Sequence, residues 1–284
     1  MTPLALGLVL GAGLVHASWN LILKKSDDRL LVGAWSLVVG GLLFLPVLLS
    51  NLPVPSEVWP YVGSSALVFV LYYWALAAAY GQGDFSLVYP VARGTAPALI
   101  ALWAFLFLGE SPSIQGISGI AVILGGLVVL GGAPFWAHRA RWRDHTGGLG
   151  LAFLIALLIS TYSVIDGAGV RLWLPVPYVI LTFLLSGFIL IPLLGARDQK
   201  KTFQVLRNEW WRVGAIAVLT LLAYSMVLRA YQLAPIGYAG AAREIGIVFA
   251  ALAGWALLGE RFGRVRTLGA VLVFIGIGIL ALAD

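Results

Sequence analysis

Apolar runs of about twenty residues recur along the chain, each closed by glycine, proline or charge. A helix of that length rises about 30 Å, the hydrocarbon thickness of a bilayer. The pattern predicts ten spans, at 3–23, 30–50, 59–80, 85–108, 114–134, 148–165, 176–195, 211–232, 236–258 and 265–283. Helix is the expected element, because a backbone surrounded by lipid must satisfy its own N–H and C=O groups. Most connections are short. The longest are 135–148 and 195–212, and the second has room for a short interfacial helix.

The pattern also repeats. "RGTAPALIALWAFLFLGE" (93–110) aligns with "REIGIVFAALAGWALLGE" (243–260) at a constant offset of 150. Arg93 falls on Arg243, the "LGE" ending at Glu110 on the one ending at Glu260, Gly119 on Gly269 and Gly126 on Gly276. A weaker echo joins "SWNLI" (18–22) to "TYSVI" (161–165). Two repeats are predicted, 1–134 and 148–284, joined by a loop at 135–147. Five spans per half is odd, so the second half enters the membrane from the opposite side. The expected fold is an all-α integral membrane protein of ten transmembrane helices in two inverted five-helix repeats, an architecture typical of secondary transporters.

Composition agrees. Hydrophobic residues are 61% of the chain and charged residues 11%, against about 45–50% and 25% in soluble proteins. The net charge of +6 is spread over short connections, which points to a membrane surface and away from nucleic acid. Fourteen Lys and Arg residues lie in the odd-numbered connections, against essentially Arg171 alone on the other side. That bias predicts cytoplasmic odd connections and both termini outside. The first run has no basic residue before it and Lys24-Lys25 after it, so it reads as a retained span rather than a cleaved signal. Without cysteine, disulfides and thiolate chemistry are excluded.

Ten spans in two halves, each with "LGE" before its last span, resemble the EamA-type transporters of the drug/metabolite transporter superfamily. "HASWN" in span one, "YPVARG" in span four and "GYAGAAREIG" in span nine are similar to one of its branches. The resemblance implies a carrier of small metabolites, often an exporter, with its path between the halves. It also implies cytoplasmic termini, against the charge count, and a role for Glu110 and Glu260 in the turn to the next helix. There an acid would cap that helix's N-terminal amides.

The residues that stand out are polar groups inside apolar runs. Arg93 lies eight residues into span four and Arg243 seven into span nine, about 12 and 10 Å deep at 1.5 Å per residue. Entering from opposite faces, the two guanidinium groups are expected on either side of the midplane. One reading has each snorkel or pair, with Glu244 and Arg229 as candidate partners. The other has both line a wet cavity and grip a carboxylate or phosphate-like anion. Gly94 and Pro97 mark either a hinge, by kink or unwinding in span four, or a simple packing kink, with no matching proline in span nine. His16, Trp19 and Asn20 share a region of span one, and Tyr162 stands in the matching helix; interhelical packing and cavity lining are both open. His16 is also a candidate for proton coupling. Tyr73, Tyr89 and Tyr224 are placed to stack on a substrate or to pack. The glycines of spans five and ten suit close helix approach.

No nucleotide-binding loop or metal-ligand cluster is visible, so no cofactor or metal is expected. The expected function is secondary active transport, by export or exchange, of a small anionic or zwitterionic organic metabolite by alternating access. The alternatives are a carrier of cationic drugs or amines and, further off, a membrane enzyme acting on a phosphorylated lipid group. The amine carrier requires a carboxylate mid-bundle, and Glu244 is the one that qualifies in sequence. Expected partners are a small-molecule substrate, membrane lipids and, in a homodimer, a second copy. The expected location is the cell membrane, the inner membrane of a bacterium.

Overall fold

The computed structural model describes residues 1–81, 85–137, 146–196, 198–258 and 264–283. Among these the regular structure is helical and no strand occurs: α1 (Pro3–Lys24), α2 (Arg29–Leu43), α3 (Leu45–Leu49), α4 (Trp59–Gly81), α5 (Phe85–Leu108), α6 (Ile114–Ala137), α7 (Thr146–Val170), α8 (Pro175–Gly195), α9 (Gln199–Asn208), α10 (Trp210–Leu233), α11 (Ile236–Ala242), α12 (Ile245–Leu258) and α13 (Arg264–Leu282). Seven segments are long and apolar enough to cross a membrane, and three shorter apolar helices, Arg29–Leu43, Ala92–Leu108 and Ile114–Leu130, accompany them. The outside of the bundle is apolar. Trp74, Phe107, Val128, Phe153, Phe188 and Phe274 are exposed, a surface that water penalises by about 25 cal/mol per Å² and lipid does not.

The boundaries depart most from the hydropathy pattern in three places. The second span divides at Phe44 into α2 and α3, where Pro46 sits in the first turn of α3. The sixth runs on to Val170, five residues past its expected end. The ninth divides between α11 and α12, at Arg243-Glu244. α9 fills the long connection as the short helix expected there. Its N-cap is Asp198, whose carboxylate accepts from the Lys201 amide.

Helix pairing has the form of an internal twofold. α1 packs on α10 as α7 packs on α4; α5 packs on α7 as α12 packs on α1. α2 lies against α8 and α6 against α13, each pair made of corresponding spans of the two halves. The α6–α13 crossing is antiparallel and built on glycine. A Cβ on Gly126 would fall 2.8 Å from Gly269 O, and one on Gly276 would fall 2.8 Å from Gly119 O. Position 119 corresponds to 269 and position 126 to 276, so exchanging the halves maps one contact onto the other, as an isologous interface requires. Gly126→Ala is expected to force the helices apart and cost about 1–3 kcal/mol, as overpacking does. Gly125→Ala, whose new methyl would meet nothing within 4 Å, is the control, both followed by unfolding in detergent.

The connections sort to two ends. At one end, Lys201 Nζ pairs with Asp28 at 2.6 Å, Glu209 accepts from the Asp27 amide at 3.2 Å, and Trp35 Nε1 donates to Thr202 O at 2.9 Å. The Asp28 hydrogen bond holds the Lys201 ammonium above its ordinary value. At the other end, Arg171 pairs with Glu110 at 2.6 Å. Glu110 also accepts from the amides of Ile236 and Gly237, at 2.9 and 3.2 Å. It therefore caps α11 in the opposite half, not the helix that follows it in sequence. The short chain link after α5 delivers its carboxylate across the twofold to amides that open a buried helix. Glu260 lies outside the described residues.

Candidate functional site

Where the halves meet, the bundle holds a partly open cavity of about 150 Å³, comparable in size to an engineered cavity that holds benzene. Its polar wall is Arg93, Arg243, His16 and Asn20; Phe69, Tyr73, Tyr162, Phe183 and Tyr224 form much of the aromatic wall.

The polar wall rests on the break in the ninth span. Hydrogen bonds there tighten from i→i−4 to i→i−3: Glu244 N donates to Ala241 O, Gly246 N to Arg243 O and Ile247 N to Glu244 O. Such tightening inside a helix often marks a hinge. It releases Arg243 and Glu244 from a single helical face. Glu244, fully buried, takes Arg93 Nε at 3.3 Å on one oxygen and Arg243 Nε at 3.5 Å on the other. The guanidinium groups, expected apart on either side of the midplane, converge on one carboxylate. Counting rise along each helix gives the height of a Cα and not the reach of a long side chain, so the expected separation was too large.

The remaining contacts orient this cluster. Arg93 Nη2 lies 3.3 Å from His16 Nε2. A guanidinium has only donors, so this nitrogen of the imidazole accepts and the ring is neutral. His16 is met edge-on by Trp19 at 4.6 Å between centroids. Asn20 donates to His16 O at 2.8 Å, which holds its amide along its own helix at the cavity wall. Arg243 Nη1 donates to Tyr231 at 3.2 Å. Its Nη2 is buried, with no hydrogen-bond partner among the described residues. The side chain is 9% exposed and lines the cavity, so a cation with an unsatisfied donor stands in its wall.

Not every sequence candidate joins. Arg229 is exposed and donates to Gln232 Oε1 at 2.7 Å; its helix face points away from the cavity. The Tyr89 side chain lies outside the described residues. Gly94 and Pro97 sit in a helix that is continuous from Phe85 to Leu108, so no unwinding occurs in span four. The interruption falls instead at Arg243-Glu244, opposite Arg93-Gly94 in the repeat.

The structure adds one residue that sequence reasoning missed. Asp166 is fully buried in α7. It accepts from Tyr178 at 2.8 Å and from Tyr224 on its other oxygen. Tyr224 stacks on Phe183 at 5.9 Å and meets Tyr162 edge-on at 6.4 Å, so Asp166 anchors the aromatic wall from behind. The signal was present: an isolated acid directly after "TYSVI". The expected span ended one residue short of it.

An apolar-surfaced helical bundle with charged groups gathered around an internal cavity defines a multi-pass membrane protein. Its sequence matches the model of the EamA-like transporter family over residues 3–132 and 146–282, and the chain belongs to that family. It is a membrane transporter family, not an enzymatic one. Twenty-eight chains of solved structures are similar to this one. One of them, described only as a crystal structure of a protein, superposes with a TM-score of 0.79 over 98% of each chain at 18% identity, a likeness of fold. No curated protein matches the sequence.

Proposed function

We propose that this chain is a secondary active transporter, an exporter or exchanger, that carries a small anionic or zwitterionic organic metabolite by alternating access. Ten transmembrane helices in two inverted repeats, 1–134 and 148–284, would supply the two halves that rock, in a cell membrane. The exchange-symmetric helix pairing supports this, as does the Met1 amino group 3.1 Å from Ala283 O, which brings the first and last spans out on one side. An even number of crossings requires that.

One observation carries the substrate class: two arginines share one buried carboxylate, and Arg243 Nη2 has no acceptor in the described structure. A planar, permanently charged donor set suits a carboxylate or similar oxyanion. Facing it, the aromatic wall accommodates an apolar body or, through ring faces, the ammonium of a zwitterion. A carrier of cations is the second reading, favoured by those same rings and by Asp166. Asp166, however, stands behind Tyr224 with no exposed surface, so it offers an amine no direct contact. The deciding test is thermal unfolding of the purified protein with succinate, lactate, glycine, glycine betaine and tetraethylammonium. Stabilisation by members of the first four alone supports the reading. Stabilisation by tetraethylammonium alone overturns it.

A further inference from the structure

The geometry points to Asp166 as a proton-exchange site that reports to the cavity through Tyr224. This rests on the proposed transport function for its purpose but not for its test.

The two fully buried carboxyl groups, Asp166 and Glu244, are held differently. Glu244 has two cations within 3.5 Å. Asp166 has none within ion-pair distance among the described residues, and its partners are hydroxyls. Tyr178 comes from α8 and Tyr224 from α10. Ser65 of α4 also faces it, with its hydroxyl buried and without a well-formed hydrogen bond. From the remaining elements packed on α7, the charged groups are engaged elsewhere. Arg93, the one charged residue of α5, faces His16 and Glu244. Arg243, beside α11, is bound to Tyr231 and Glu244. Tyr238 of α11 bonds Ser113, and Tyr162 on α7 itself packs among the rings.

Burying an ionised carboxylate without a cation is costly, and binding a proton removes that cost. The step forms one O–H bond on Asp166 and breaks none within the protein; the proton comes from cavity water and returns to it. It has a mechanical consequence. Ionised, Asp166 only accepts, and both tyrosines donate to it. Protonated, it carries a donor of its own and has less accepting capacity, so one tyrosine hydroxyl must turn its hydrogen away and accept from the carboxyl O–H instead. Tyr178 is sealed in the core, whereas Tyr224 borders the cavity. The hydroxyl free to turn is the one whose ring forms the aromatic wall. The charge consequence runs the same way. With Asp166 ionised, the charges of Arg93, Arg243, Glu244 and Asp166 cancel; with it protonated, one positive charge is left for an incoming anion. Proton and anion binding therefore favour each other, as linkage requires.

The test is infrared titration of the ligand-free protein in nanodiscs between pH 4 and 9, read at the carbonyl stretch of protonated carboxyl groups. A titrating band is expected in the wild type and in Glu244→Gln. It should be absent from Asp166→Asn and move to higher frequency in Tyr224→Phe, where the acceptor for the Asp166 O–H is gone. No titrating band, or a band that survives Asp166→Asn in folded protein, overturns the proposal. If all five probes leave the unfolding temperature unchanged while the Asp166 band is present, the transport reading fails and the proton site stands. Probe binding with no Asp166 band gives the reverse.

Discussion

Arg243→Gln is expected to lower uptake of a stabilising carboxylate into proteoliposomes by about 30-fold or more, while folded protein is recovered in near-normal yield. The magnitude follows from deleting one side of a desolvated charge contact, which costs about 2–5 kcal/mol, with each 1.4 kcal/mol worth tenfold. Retention of the fold follows from the local charge. Removing Arg243 leaves Glu244 with Arg93 at 3.3 Å, a neutral pair, so no buried ion is stranded. The Arg243 group lost is a cavity-lining one whose Nη2 has no acceptor among the described residues. Arg93→Gln should act in the same direction. Its partner His16 accepts at 3.3 Å, so that variant also loses the group that orients the imidazole. Collapse of expression in both variants, rescued in neither by Lys, would assign the arginines to packing instead.

Glu244→Gln is expected to be the most destabilising single change in the cluster, by about 3–5 kcal/mol, because removing one partner of a buried ionic group leaves uncompensated charge. Here it leaves two. Both guanidinium groups lie within 3.5 Å of this one carboxylate, in a site from which bulk water is largely excluded. Salt should rescue little, since buried charges are weakly screened. Succinate should rescue more, by supplying the missing anion between the arginines, and Glu244→Asp should recover much of the loss. The measurement is unfolding in detergent with and without succinate. A Gln variant as stable as wild type would show that the carboxylate does not neutralise the pair.

Much of this protein is legible along the chain. The helices α5, α8, α10 and α13 begin and end within a residue of their apolar runs, because transfer into lipid is a property of consecutive residues. The coincidence of Arg93 with Arg243 and of the paired glycines is likewise written in the order of residues. Legibility fails where the outcome depends on which helix faces which. Asp166 ended an apolar count, and only the packing of α8 and α10 against α7, which brings in two tyrosine hydroxyls, explains how an acid is held within the span. Pro97 looked like the breaker, yet the break fell at Arg243-Glu244. The sequence differs there too, since Glu244 stands where the first half has Gly94, but the difference acquires meaning only when Arg93 arrives from another helix.

By itself the sequence determined a helical membrane protein and pointed to two related halves with a cation in each, because hydrophobicity, helix length and repeat spacing are local or periodic quantities. Only the tertiary structure decided that the two cations meet at one carboxylate, that Glu110 caps a helix of the other half, and that Asp166 stands behind the aromatic wall. Those are distances between residues up to about 150 positions apart, and they are fixed by the way the helices cross, which no one-dimensional pattern encodes.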